Sequence, residues 1–211
     1  EAIRIGKFDK VNQPQDHLIT VSSRSAELTS KPHSVIPIPP TPLIGREREL
    51  TEVGELISNP QCRLITITGP GGMGKTRLAL AAATAQSAKF RHGAVFAPLA
   101  GVSSAQFLPQ AILGALNVPL QGTLSPQQQV RATLYNQARL LVLDNYEHLL
   151  PDVELLLELL HYAPKLTLLI TSRERLALQA EYLFEMTGLD YPSNALTPLS
   201  IKSTADLTIY A

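Results

Sequence analysis

Gly69-Pro70-Gly71-Gly72-Met73-Gly74-Lys75-Thr76 fills the pattern G-x-x-x-x-G-K-[ST] without a mismatch. The six residues before it, Arg63-Leu64-Ile65-Thr66-Ile67-Thr68, are apolar and β-branched and read as a strand. The run after it, 77–85, is rich in Ala and Leu and reads as a strong helix. Strand, glycine loop and helix together are the context that makes this pattern a phosphate-binding loop, or P-loop. The glycines, Gly69, Gly71, Gly72 and Gly74, let the backbone take positive φ and approach an anion closely. Successive N–H groups then line a concave nest at a helix N-terminus, where the helix dipole favours negative charge. Lys75 supplies a point charge to the β- and γ-phosphates, and the Thr76 hydroxyl is placed to ligate Mg2+. Gly69 to Arg77 are thus the expected nucleotide-binding residues, for ATP or ADP with Mg2+.

Outward from the loop, apolar strand-like runs alternate with helical patterns. Strands are expected over 63–68, 93–97, 139–143, 165–171 and 182–186. Helices are expected over 76–88, 104–116 and 126–137, and another starting at Pro151, where Asp152 and Glu154 would complement the helix dipole. Regular alternation of this kind predicts a parallel, doubly wound α/β sheet of five strands, with ligands at the carboxyl ends of the strands.

Two of those strands end in chemistry. Leu140-Leu141-Val142-Leu143-Asp144 is an apolar run closed by an acid, and it offers the Asp144 carboxylate to Mg2+ together with Thr76. Glu147, three residues on, is a candidate to polarise an attacking water, or else a solvated loop acid. His148 reads as structural or solvent-facing. The strand ending Thr171-Ser172-Arg173-Glu174 brings Arg173 to the same edge, within reach of a γ-phosphate, so that it could sense ATP against ADP; otherwise it is a surface arginine. Lys75, Asp144, Glu147 and Arg173 form the catalytic set. Upstream, Pro42-Leu43-Ile44-Gly45-Arg46-Glu47 reads from its residues only as a tight turn before an exposed helix.

Composition narrows the function classes. The chain has 211 residues, 45% of them hydrophobic, enough for one α/β domain with a sizeable core and an irregular arm. Its 18 basic and 18 acidic residues balance, so this piece has no electrostatic case for direct nucleic-acid binding. The single cysteine, Cys62, reads as a buried small hydrophobe and rules out an internal disulfide, which fits a cytoplasmic setting. No apolar run approaches the roughly 18 residues of a membrane span. Residues 1–42 hold six of the 16 prolines and read as a Pro-rich linker or the tail of an upstream domain. The P-loop domain is expected over 43–192. The initial Glu1 and the abrupt end after 204–211 suggest a piece of a longer protein.

The order of these motifs closely resembles the bacterial STAND ATPases of the NB-ARC (AP-ATPase) type, which include ATPase modules of large transcriptional regulators. The resemblance runs from about residue 40 to 192. It implies an ASCE-type sheet with the Arg173 strand between the P-loop strand and the Asp144 strand. It also implies that Gly45 and Arg46 pack near the adenine and ribose, that Asp144 holds Mg2+, and that Arg173 is the sensor. Family members switch between a closed ADP state and an ATP state that self-assembles. Helical and winged-helix domains are implied after Tyr191-Pro192, making 193–211 a truncated connection to them. Plant and animal relatives carry a second acid where this chain has Asn145, so hydrolysis is expected to be slow. The rival readings are a small-molecule P-loop kinase and a direct DNA binder. The region between residues 93 and 137 holds a single arginine, Arg131, which disfavours the mobile arginine lid of a kinase.

Overall fold

The computed structural model describes residues 35–188; the expected readings for 1–34 and 189–211 lie outside them. Five strands form the sheet: β1 (Leu64–Thr68), β2 (Ala94–Pro98), β3 (Arg139–Asp144), β4 (Leu166–Ser172) and β5 (Glu181–Glu185). Every pairing is parallel and the order is β2-β3-β4-β1-β5. The Arg173 strand, β4, therefore lies between β1 and β3, as the motif order implied.

Side chains alternate strictly across this sheet. Leu64, Leu141, Leu143, Leu168 and Ile170 pack to one side with α3 (Leu108–Ala115), α4 (Pro126–Leu134) and α5 (Glu154–Tyr162). Ile65, Ile67, Leu140, Val142 and Leu169 pack to the other with α1 (Glu47–Ser58) and α2 (Lys75–Gln86). Strands buried on both faces are continuous apolar runs, which is why β1, β3 and β4 were legible as such. On α2, the buried residues Ala79, Ala82 and Ala83 keep the helix surface thin against the sheet. Cys62 is buried among the same apolar residues, as expected.

Helix boundaries moved where loop hydrogen bonds compete. Pro151 was expected to open α5, but the helix begins at Glu154. The Asp152 N–H donates to Leu149 O, and its carbonyl accepts from the Tyr146 hydroxyl at 2.8 Å, so the segment is held as a turn. The preceding residues Glu147–Leu149 form one turn of 3-10 helix. In contrast, α4 starts at Pro126 as predicted, behind a reciprocal capping box between Ser125 and Gln128. Over residues 35–46 the chain is irregular, apart from Val35, which bridges in parallel to Val95 on the outer edge of β2.

Candidate nucleotide site

The loop joining β1 to α2 takes positive φ at Gly69 (147°), Gly72 (79°) and Gly74 (88°). Gly71 does not, contrary to expectation; a Cβ there would lie 3.7 Å from the Arg173 guanidinium, in ordinary contact. Gly69 is constrained twice, because a Cβ would also stand 3.1 Å from Met186 O, just beyond β5. At Gly72 and Gly74 a Cβ would meet no neighbour, so there it is the positive φ rather than crowding that calls for glycine. A Cβ-free cradle of this kind at the start of a helix fits an anionic group.

Gly71, Gly72, Gly74, Lys75, Thr76 and Arg77 form one wall of a cavity of about 290 Å3; Asn145, Glu147, Thr171 and Arg173 form the other. Within it the Lys75 ammonium donates to Gly69 O (2.7 Å) and Pro70 O (2.9 Å), which holds the charge against its own loop. Thr76 Oγ1 donates to Asp144 Oδ1 at 2.8 Å. Hydroxyl and carboxylate are thus adjacent, and a hard cation prefers such oxygen donors. When bound, Mg2+ would neutralise phosphate charge there, and Thr76 and Asp144 are the residues fit to hold it.

Sequence reading missed Thr171. Its hydroxyl donates to Asp144 Oδ1 at 2.6 Å and accepts from the Asn145 N–H at 3.0 Å, and its carbonyl accepts from the Tyr146 N–H. A threonine near the end of an apolar strand reads as an ordinary β-former, so no signal marked it. The anchor matters because Asn145 has φ 67°, a left-handed conformation that Asn tolerates better than most residues. That turn leads directly to Glu147, whose Oε1 lies 3.2 Å from Arg173 Nε. Glu147 Oε2 is buried and makes no hydrogen bond among the described residues.

Other residues singled out in the sequence are engaged outside the cavity. Gly45 (φ 69°) and Arg46 do not line the cavity. Arg46 is buried at the start of α1 and paired with Glu49. That hydrogen bond, more than bulk charge, holds the Glu49 carboxyl below its usual range. Arg77 reaches the cavity rim, but its guanidinium donates to Thr41 and Pro42 on the preceding segment. His148 contacts Val102 O through its ring and does not line the cavity. A second hollow, about 430 Å3, opens beside Gln106, Gln127, Asp152 and Glu154; it holds two acids and no cation, so it suits no polyphosphate.

Known proteins resemble this chain over the same region. A Mycobacterium tuberculosis protein named only as uncharacterised is 36% identical over 157 residues, covering 74% of this chain and 39% of that protein. A second M. tuberculosis protein, with the provisional name HTH-type transcriptional regulator, is 36% identical over 147 residues, covering 69% of this chain and 16% of its own length. The chain thus spans well under half the length of these curated relatives. Among solved structures, the Aeropyrum pernix ORC2 protein in its ADPNP-ADP complexes superposes with a TM-score of 0.51 at 15% identity, covering 71% of this chain and 50% of that one. At that identity the likeness shows the fold. The family described as AAA domain matches residues 59–177, more than half of the chain. The chain belongs to the AAA domain family, on a P-loop NTPase fold.

Proposed function

We propose that the chain is an ATP/ADP-binding switch module of a STAND ATPase of the NB-ARC type, serving signal transduction or transcription regulation, with slow Mg2+-dependent hydrolysis. The observation that carries this is one cavity lined by the P-loop, Thr76 and Arg173, with Asp144 hydrogen-bonded to the Thr76 hydroxyl though not itself a lining residue. The motif order resembles that class, and a relative whose name describes a transcriptional regulator shares 36% identity. In this reading Arg173 senses the γ-phosphate and the ATP state of the whole protein self-associates in the cytoplasm. Output comes from neighbouring domains, since the balanced charge gives no net electrostatic attraction to nucleic acid. No helix among the described residues is long and apolar enough to cross a membrane.

The kinase alternative loses ground to one contact. Arg131, the sole arginine between residues 93 and 137, is paired with Glu158 and lies 5.3 Å from the Tyr162 ring centroid. It is committed to the joint between α4 and α5 rather than to a lid. The test is a titration with ATP and ADP, with and without Mg2+, beside phosphate release. Micromolar or tighter binding with very slow release supports the switch. Turnover of about 1–100 s−1, typical of kinases, would overturn it.

A further inference from the structure

Two groups at the cavity wall are unlike in exposure and anchoring. Glu147 sits on a backbone fixed from both sides: Thr171 bonds the Asn145 and Tyr146 N–H groups, and the fully buried Tyr146 ring is pinned through its hydroxyl to Asp152 O. Glu147 itself is about one-fifth exposed, whereas the Arg173 side chain is 65% exposed, just past the end of β4. A carboxylate on an anchored turn thus faces a largely exposed guanidinium. A carboxylate and a phosphate compete for the same guanidinium donors.

We infer that Glu147 is a positioning residue that holds Arg173 away from a γ-phosphate and so lowers the preference of the site for ATP over ADP. The inference rests on the reading of this cavity as an ATP/ADP site. It replaces the expected role of Glu147 as a base: Oε1 is engaged by Arg173 and by the Asn145 amide at 3.4 Å, and Oε2 is buried. When Arg173 turns to a γ-phosphate, the carboxylate loses its cation while remaining partly desolvated, a cost that falls only on the triphosphate state. ADP makes no such demand. The chain therefore carries its own bias toward the diphosphate form, set by one side chain.

The experiment is a calorimetric double-mutant cycle on the full chain with Mg2+, using ADP and a non-hydrolysable ATP analogue on wild type, Glu147→Gln, Arg173→Ala and the double variant. Partly exposed pairs are weak, so Glu147→Gln should raise the ATP-over-ADP affinity ratio about two- to fivefold. In the Arg173→Ala background the same substitution should leave the ratio unchanged. Glu147→Ala should repeat the gain, which guards against an effect peculiar to glutamine. Equal tightening for both nucleotides would mean a bulk charge effect and overturn the inference, as would a gain that persists without Arg173. An unchanged ratio with lost phosphate release would return Glu147 to the role of base. Failure of the wild type to bind either nucleotide would overturn the site reading itself.

Discussion

At the amino end of the sheet, Arg63 donates to Leu160 O and Ala163 O (2.7 Å each) and to Leu166 O (3.1 Å). At the carboxyl end, Lys75 donates to Gly69 O and Pro70 O. Both cations are given to backbone carbonyls, but the surroundings differ. The planar fork of Arg63 ties the end of α5, where a helix leaves carbonyls unpaired, to the start of β4. Its acceptors come from residues some hundred positions away, so it fastens distant segments. Lys75 touches only its own loop, beside glycines whose positive φ turns the backbone toward open space. A hollow opens at each end, about 430 Å3 beside Arg63 and about 290 Å3 beside Lys75, but the first cation is spent on distant carbonyls. The second hollow also holds the largely exposed Arg173 and borders Glu147, whose Oε2 is buried without a hydrogen bond among the described residues.

The largest expected effect separates binding from stability. Lys75→Ala removes the charge facing bound phosphate; losing one partner of a close charge pair costs about 2–5 kcal/mol, so nucleotide affinity should fall about thirtyfold or more. Melting without nucleotide should hardly move. Unaltered affinity in calorimetry would remove the phosphate role from this end of the sheet.

Arg63→Ala should do the reverse. Charge-assisted hydrogen bonds contribute about 1.5–3 kcal/mol, so a loss of that size is expected in urea unfolding, with nucleotide affinity kept. A drop in affinity would show that the two ends are coupled through β1 or β4.

A smaller effect tests the sensor. Nucleotide at a hundredfold excess over Kd stabilises the folded state by about 2.7 kcal/mol, or roughly 5–11 °C in Tm for a domain of this size. Arg173→Ala should shrink the ATP shift and leave the ADP shift nearly intact. Equal losses for both would make Arg173 structural.

Much of this contrast was legible in the sequence. The P-loop, the apolar run closed by Asp144 and the Arg173 strand are local patterns, and the sheet edge that gathers them follows from parallel topology. What escaped depends on tertiary neighbours. Thr171 and Arg63 look like ordinary strand residues until their partners arrive from other strands and from α5. Gly71 joins three glycines that need positive φ without needing it itself, because composition reports permission and not conformation. The start of α5 slipped from Pro151 to Glu154 because a buried tyrosine claimed a carbonyl. Gly45 and Arg46 were assigned to the adenine and ribose by resemblance alone, and they are not among the residues lining the P-loop cavity.

A second Arg–Glu pair supplies the control that sharpens the comparison. Arg131 and Glu158 join α4 to α5, Gln127 adds a 2.8 Å hydrogen bond, and neither residue lines the cavity. The Arg131 hydrogen bond is the main cause that holds the Glu158 carboxyl below its usual range. A carboxyl depressed in the folded state adds stability above its unfolded pKa, near 4.3, and loses it as pH falls through the folded value. Both side chains are about one-third exposed, so the whole contribution should stay within about 1 kcal/mol. Glu158→Gln should therefore destabilise slightly at pH 7, approach wild type as pH falls below the folded carboxyl's pKa, and leave the ATP-to-ADP ratio untouched. Urea unfolding across that pH range, with nucleotide titration at its upper end, checks all three. If this substitution shifted the nucleotide ratio as Glu147→Gln should, the effect would be one of general charge, and the special place of Glu147 beside Arg173 would be lost.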